Sequence, residues 1–153
     1  MNISYIDYSP KTKSLDIFVN GCDLPLCNGC CNPELANFND GTEMSRWVDK
    51  IQDYIGKYDT LIENIFLLGG SFNHQVDIEL ECFFRKNSEA FKNKQIWLFC
   101  REELENVKDI FKQKCHYIKC GPYIPELLCE NNIQENIKLA TSNQNIYRKG
   151  KDY

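Results

Sequence analysis

A chain of 153 residues with a formal net charge of −4 is long enough to bury one core, and its scattered lysines make it ill suited to bind a nucleic-acid backbone as its main partner. No stretch approaches the length of an apolar membrane span, and Met1 to Ser9 lacks the basic-then-apolar form of a signal peptide. Nine cysteines, an odd number, in a chain expected to be cytoplasmic argue against a disulfide scaffold and for thiols that are reduced, buried or metal-bound.

In chain order, the apolar run Leu15 to Val19 reads as a buried strand, and the loop leaving its carboxyl end holds Cys22, Cys27, Cys30 and Cys31. Parallel sheets place their chemistry at that end. Asp40-Gly41-Thr42 offers a turn and an N-cap, after which Met44, Trp47, Val48, Ile51 and Ile55 recur at the spacing of an amphipathic helix. Ile62 to Leu68 reads as a strand buried on both faces and runs into Gly69 and Gly70. Val76, Leu80, Phe83 and Phe84 mark a second helix, Gln95 to Cys100 a third strand, Leu104, Val107, Ile110 and Phe111 a third helix, and Cys115 to Lys119 a fourth strand. Beyond Pro125 the pattern weakens, and the polar tail from Asn143 to Tyr153 is expected to be loosely held. This alternation predicts a single α/β domain with a mostly parallel sheet of roughly four to six strands and right-handed crossovers. So few units cannot close an eight-stranded barrel, so an open partial (β/α) barrel is expected.

Several thiolates on one short loop favour an iron–sulfur cluster or zinc over hard cations. No second cysteine pair completes a zinc ribbon, because Cys82, Cys100, Cys115, Cys120 and Cys129 are scattered singly. Three ligands with an open fourth position fit better, although a structural zinc or an incidental thiol cluster is the plainer alternative. Cys31 reads equally as a spare ligand, a buried thiol or a substitute for Cys22. Gly69 and Gly70 allow close backbone approach, as a plain turn or as a ligand contact. No phosphate-loop lysine and no three-glycine fingerprint accompany them, so neither a nucleoside triphosphate nor a dinucleotide is indicated. His74 reads as a solvated loop residue in preference to a cofactor contact, His116 as core or half-buried, Trp47 and Trp97 as packing, and Arg101 as a charged first-turn residue of the following helix in preference to a partner for a carboxylate at the rim.

Phe18-Val19-Asn20-Gly21-Cys22, the Cys27-Asn28-Gly29-Cys30 pair and Asn32 resemble the radical S-adenosylmethionine superfamily, most closely the activating proteins of anaerobic ribonucleoside-triphosphate reductases. Leu67-Leu68-Gly69-Gly70, Ile96-Trp97-Leu98, Gly121 with Tyr123, and Thr141-Ser142-Asn143-Gln144 follow in the family's order, so the resemblance spans about residue 15 to 148. It implies a [4Fe-4S] cluster on Cys22, Cys27 and Cys30, and S-adenosylmethionine held against Gly69, Gly70 and Ser71. It also implies an electron from a flavodoxin- or ferredoxin-like donor, reductive cleavage to a 5'-deoxyadenosyl radical, and a glycyl radical made on the catalytic subunit of an anaerobic ribonucleotide reductase. The chain departs from the family in four places. Four residues, Asp23-Leu24-Pro25-Leu26, stand where the family has three. Cys31 replaces an aromatic residue, Ser71 and Phe72 replace an acidic residue and proline, and the glycine-rich turn is missing around Tyr8 to Lys13. A radical enzyme acting on another protein, peptide or small molecule, and a non-catalytic metal-binding module, are the alternatives.

Overall fold

Side chains on successive strand residues point to opposite faces, and in this chain the two faces are unequal. In the computed structural model, which describes every residue from Met1 to Tyr153, four parallel strands lie side by side: β2 (Ser14–Val19), β4 (Asn64–Gly69), β5 (Gln95–Phe99) and β6 (Tyr117–Cys120). β1 (Asn2–Ser9) folds back antiparallel on β2, the short β3 (Thr42–Glu43) pairs outside β1, and β9 (Asn145–Arg148) runs antiparallel along β6. The sheet therefore has seven strands in the order β3-β1-β2-β4-β5-β6-β9, mixed in direction and larger than expected. A separate hairpin joins β7 (Ile133–Gln134) to β8 (Ile137–Lys138).

Leu15, Ile17, Val19, Ile65, Leu67, Ile96, Leu98 and Ile118 face one way and share a cluster of 25 buried residues with the helices. Ile51 and Ile55 enter it from α1 (Val48–Lys57), Leu80 and Phe83 from α2 (Asp77–Lys86), Phe91 from α3 (Ser88–Phe91) and Phe111 from α4 (Asp109–Lys114). All four helices thus cover the same face. Each fully buried side chain of this size contributes about 1.5–3 kcal/mol. The opposite face carries a smaller aromatic group, Phe66, Trp97 and Tyr117, with Trp97 stacked on Tyr117 at 3.9 Å and Ile137 and Ile146 packed beside it. Phe66 is buried like its neighbours Ile65 and Leu67, so β4 is covered on both faces as its apolar run predicts.

The differences from expectation lie at the polar edges. Thr42 is no N-cap: it belongs to β3, and a 3-10 turn at Met44–Arg46 precedes α1. The third helical stripe is split, with a 3-10 turn at Leu104–Asn106 ahead of α4. The tail is held, because Asn145–Arg148 forms β9 and the Tyr153 hydroxyl donates to the Cys115 carbonyl at 3.1 Å. His116 is exposed, not half-buried, and its Nδ1 accepts from the Ile96 amide at 3.0 Å.

One carboxylate in the sheet titrates unusually. Burial, with Asp7 directly opposite across the β1–β2 pair, pushes Asp16 up to about 6, and the Ser14 hydroxyl opposes the shift only in part. A carboxyl that holds its proton more tightly when folded stabilises the fold below the unfolded value near 4, and that contribution is lost as pH rises through about 6. Asp16→Asn is therefore expected to stabilise the protein at pH 7 by roughly 1–2 kcal/mol, after allowance for partial solvent screening. Thermal melts from pH 4 to 8 check this, and a variant no more stable than wild type at pH 7 would contradict it.

Candidate metal centre

The cysteine loop begins where β2 ends, and its first residues are fixed by backbone pairing on both sides. The Gly21 amide donates to the Leu35 carbonyl at 2.8 Å and the Cys22 amide to Ala36 at 3.0 Å, while the Gly21 carbonyl accepts from the Ser71 amide at 2.7 Å. Gly21 has a left-handed φ of 105°, and the ring of Phe38 occupies the space a side chain would need. Further on, the Cys30 amide donates to the Cys27 carbonyl at 3.2 Å, and the Asn32 amide lies 3.4 Å from the Cys30 sulfur.

Cys22, Cys27 and Cys30 are half-buried, whereas Cys31 is exposed. Burial raises the Cys22 thiol above its ordinary value; the Ser71 amide and the Arg101 guanidinium pull it back, and the Cys30 and Cys27 sulfurs are close enough to add to the rise. Cys31 meets Asn32, whose side-chain amide nitrogen lies 3.6 Å from its sulfur. No three His, Cys, Asp or Glu side chains converge as they would round a single ion. A four-iron cube needs no such convergence, because each of its thiolates bonds a different iron.

Gly69 and Gly70 lie directly against this loop. A Cβ on Gly70 would stand 2.7 Å from the Gly21 carbonyl oxygen and 2.8 Å from both the Gly21 nitrogen and the Val19 oxygen. Gly69, at φ 103°, meets Val19 and Leu35 in the same way. The pair thus lets the end of β4 close onto the start of the cysteine loop. Ser71 follows, buried, with its hydroxyl 3.5 Å from Glu102 Oε1. Gln75, also buried, donates from its side-chain amide to the carbonyls of Asn20 at 3.0 Å and Ser71 at 3.1 Å, which ties the two loops together. Phe72, in contrast, is fully buried among Phe83 and Phe111.

Three polar side chains complete the rim, two of them read otherwise from the sequence. His74 is not simply solvated: its Nε2 lies 3.1 Å from Glu102 Oε1 and its Nδ1 3.1 Å from Asp23 Oδ2. Arg101 does not serve a helix start. It donates from Nη1 to the Pro25 carbonyl at 2.7 Å and from Nη2 to the Asp23 carbonyl at 3.0 Å, with Nη1 4.0 Å from the Cys27 sulfur. Glu102, missed altogether, has an 11 % exposed side chain and a buried Oε2 with no hydrogen-bond partner. A charged Arg-Glu pair directly after a buried strand was the available signal, since strand carboxyl ends collect polar function. Asn143 and Gln144 brace the backbone: Asn143 donates to Pro122 at 2.9 Å and Gln144 Oε1 accepts from the Ala140 amide at 3.1 Å.

The donor set fits an iron–sulfur cluster: three half-buried soft thiols on one loop, a guanidinium beside them, and an orphaned carboxylate oxygen of the kind that calls for a ligand donor. The surface depression of about 790 Å³ between α2 and α4, lined by Asp77, Glu81, Arg85 and Lys108 among others, holds none of these cysteines. No curated protein and no solved structure matches the chain. A family model described as a 4Fe-4S single cluster domain matches residues 13–147, from the start of β2 through the cysteine loop to β9. The chain accordingly belongs to the 4Fe-4S single cluster domain family.

Proposed function

We propose that this chain is a radical S-adenosylmethionine enzyme of the glycyl-radical activating type, built as an open partial (β/α) barrel and acting on the catalytic subunit of an anaerobic ribonucleotide reductase. The observation that carries the reading is a loop with Cys22, Cys27 and Cys30 leaving the carboxyl end of β2, its start at Gly21-Cys22 clamped against Gly69-Gly70-Ser71 at the end of β4, within a 4Fe-4S cluster domain. When bound, a [4Fe-4S] cluster and S-adenosylmethionine supply one-electron cleavage to methionine and a 5'-deoxyadenosyl radical, which can take a hydrogen atom from a glycine of the partner.

The chain's own residues hold and orient. Three thiolates for four irons leave one corner of the cube without a protein ligand. Ser71, and the backbone that the two glycines bring against the loop, would hold the cofactor's amino-acid end. The unpaired Glu102 Oε2 would be placed to accept from a donor of that cofactor, which would remove a cost of about 1–3 kcal/mol for a buried unsatisfied oxygen. His74 holds the other oxygen and so sets the direction in which Oε2 points. The electron comes from a flavodoxin- or ferredoxin-like donor in a cytoplasm that keeps the thiols reduced.

The alternative of a different small substrate draws support from the altered Ser71, Phe72 and Cys31 only if they line a new pocket. Phe72 does not, because its ring is buried in the helical core. The test is anaerobic reconstitution with iron and sulfide, reduction with dithionite, and measurement of 5'-deoxyadenosine. Iron-loaded protein that releases 5'-deoxyadenosine and raises a glycyl-radical signal in a co-incubated anaerobic reductase supports the proposal. Loaded protein that never cleaves the cofactor overturns it, and cleavage without the glycyl signal overturns the partner.

A further inference from the structure

The four-residue gap between Cys22 and Cys27 is the chain's clearest departure from the pattern it resembles, and a single side chain spans it. The gap turns outward through Asp23, Leu24, Pro25 and Leu26, all exposed, and Leu24 is 83 % accessible. Leu26 is less open, at 43 %. What holds the gap in place is Arg101, on the segment after β5, whose two terminal nitrogens donate to the carbonyls of Asp23 at 3.0 Å and Pro25 at 2.7 Å. The fork therefore fixes the two carbonyls that bracket Leu24. The same Nη1 stands 4.0 Å from the Cys27 sulfur. On the other side, His74 Nδ1 meets the Asp23 carboxylate, so the gap is gripped from two loops.

We propose that Arg101 is a positioning residue that absorbs the extra loop residue by clasping the Asp23 and Pro25 carbonyls, so delivering Cys27 to the cluster, and that its N–H toward the Cys27 sulfur makes the cluster easier to reduce. This rests on reading the loop as the cluster site. The planar guanidinium is the one side chain with two donors at the separation of these carbonyls and a fixed charge, and an ammonium supplies the charge without the fork. Positive charge and hydrogen bonding near a ligating sulfur stabilise the more negative, reduced cluster and raise its potential.

Arg101→Met keeps the stem and removes both fork and charge, while Arg101→Lys restores the charge alone. In the iron-free protein, amide hydrogen exchange across residues 22–30 is expected to quicken about tenfold in both variants, with strand amides of β4 and β5 unchanged. After anaerobic reconstitution, both variants are expected to hold less iron than wild type. An EPR-monitored redox titration is expected to show the Met variant's loaded fraction about tenfold harder to reduce, a shift of about 59 mV for one electron, with the Lys variant between it and wild type. Wild type that binds no iron overturns the cluster reading and this inference with it. Loaded wild type beside an Arg101→Met protein of equal exchange, equal iron and equal potential overturns this inference alone.

Discussion

Alanine at Cys22, Cys27 or Cys30, one at a time, is expected to leave anaerobically reconstituted protein with less than about a tenth of wild-type iron, while alanine at Cys31 leaves iron nearly unchanged. The asymmetry follows from where the sulfurs stand. Cys22 is fixed by the hydrogen bond its amide donates to the Ala36 carbonyl and by the Ser71 amide beside its sulfur, and its thiol responds to Cys27 and Cys30. All three are half-buried on one loop, where each would hold its own iron, so removing one breaks a shared site. Cys31 is exposed, and its sulfur lies 3.6 Å from the Asn32 side-chain amide nitrogen. Iron and acid-labile sulfide per chain, with the visible absorption of the reconstituted proteins, check the prediction. A Cys31 variant that loses its iron while the Cys22 variant keeps it would move the ligand set to Cys27, Cys30 and Cys31. Zinc in place of iron in all of them would leave a structural metal as the account of the loop.

What could be read in the sequence were the elements whose burial is periodic. The β2, β4 and β5 runs and the α1 and α2 stripes are one-sided or fully apolar, and period alone separates strand from helix there. The placing of Cys22 at the end of β2 and of Gly69-Gly70 at the end of β4 followed directly, and with it the rim on which the site stands. The edges were illegible for a physical reason. β3 and β9 owe their place to backbone pairing with a strand far along the chain, and β1 to a hairpin with β2 built largely on polar and half-buried residues, which leaves little trace in side-chain pattern. Arg101 and His74 were misread for a related reason. Their roles depend on carbonyls and carboxylates about 30 to 80 positions away, at Asp23, Pro25 and Glu102, and no local spacing announces such a pairing. The glycine pair was placed correctly, yet its smallness serves the protein's own backbone before any ligand.

That last point makes Gly70→Ala a severe substitution at a position whose φ is unremarkable. The added carbon would lie within 2.8 Å of three backbone atoms, the Gly21 oxygen and nitrogen and the Val19 oxygen, none of which belongs to a side chain that can swing away. Relief requires β4 and the start of the cysteine loop to part. Two bonds then lengthen together, from the Gly70 amide to Val19 and from the Ser71 amide to Gly21, both 2.7 Å. Overpacking of this kind costs about 1–3 kcal/mol, and each weakened hydrogen bond adds roughly 1 kcal/mol, so a loss of about 2–5 kcal/mol is expected in urea melts. Because Cys22 follows Gly21 directly, the displacement is carried into the ligand set, and iron per chain is expected to fall severalfold even in the fraction that remains folded. Gly56 supplies the internal control: it sits in α1 with open space around its missing side chain, so Gly56→Ala is expected to stabilise the fold by about 1 kcal/mol and leave iron binding unchanged. Equal stability and equal iron in the Gly70 variant would mean that the loop and β4 move independently, and the clamp that joins Cys22 to the rest of the rim would have to be abandoned.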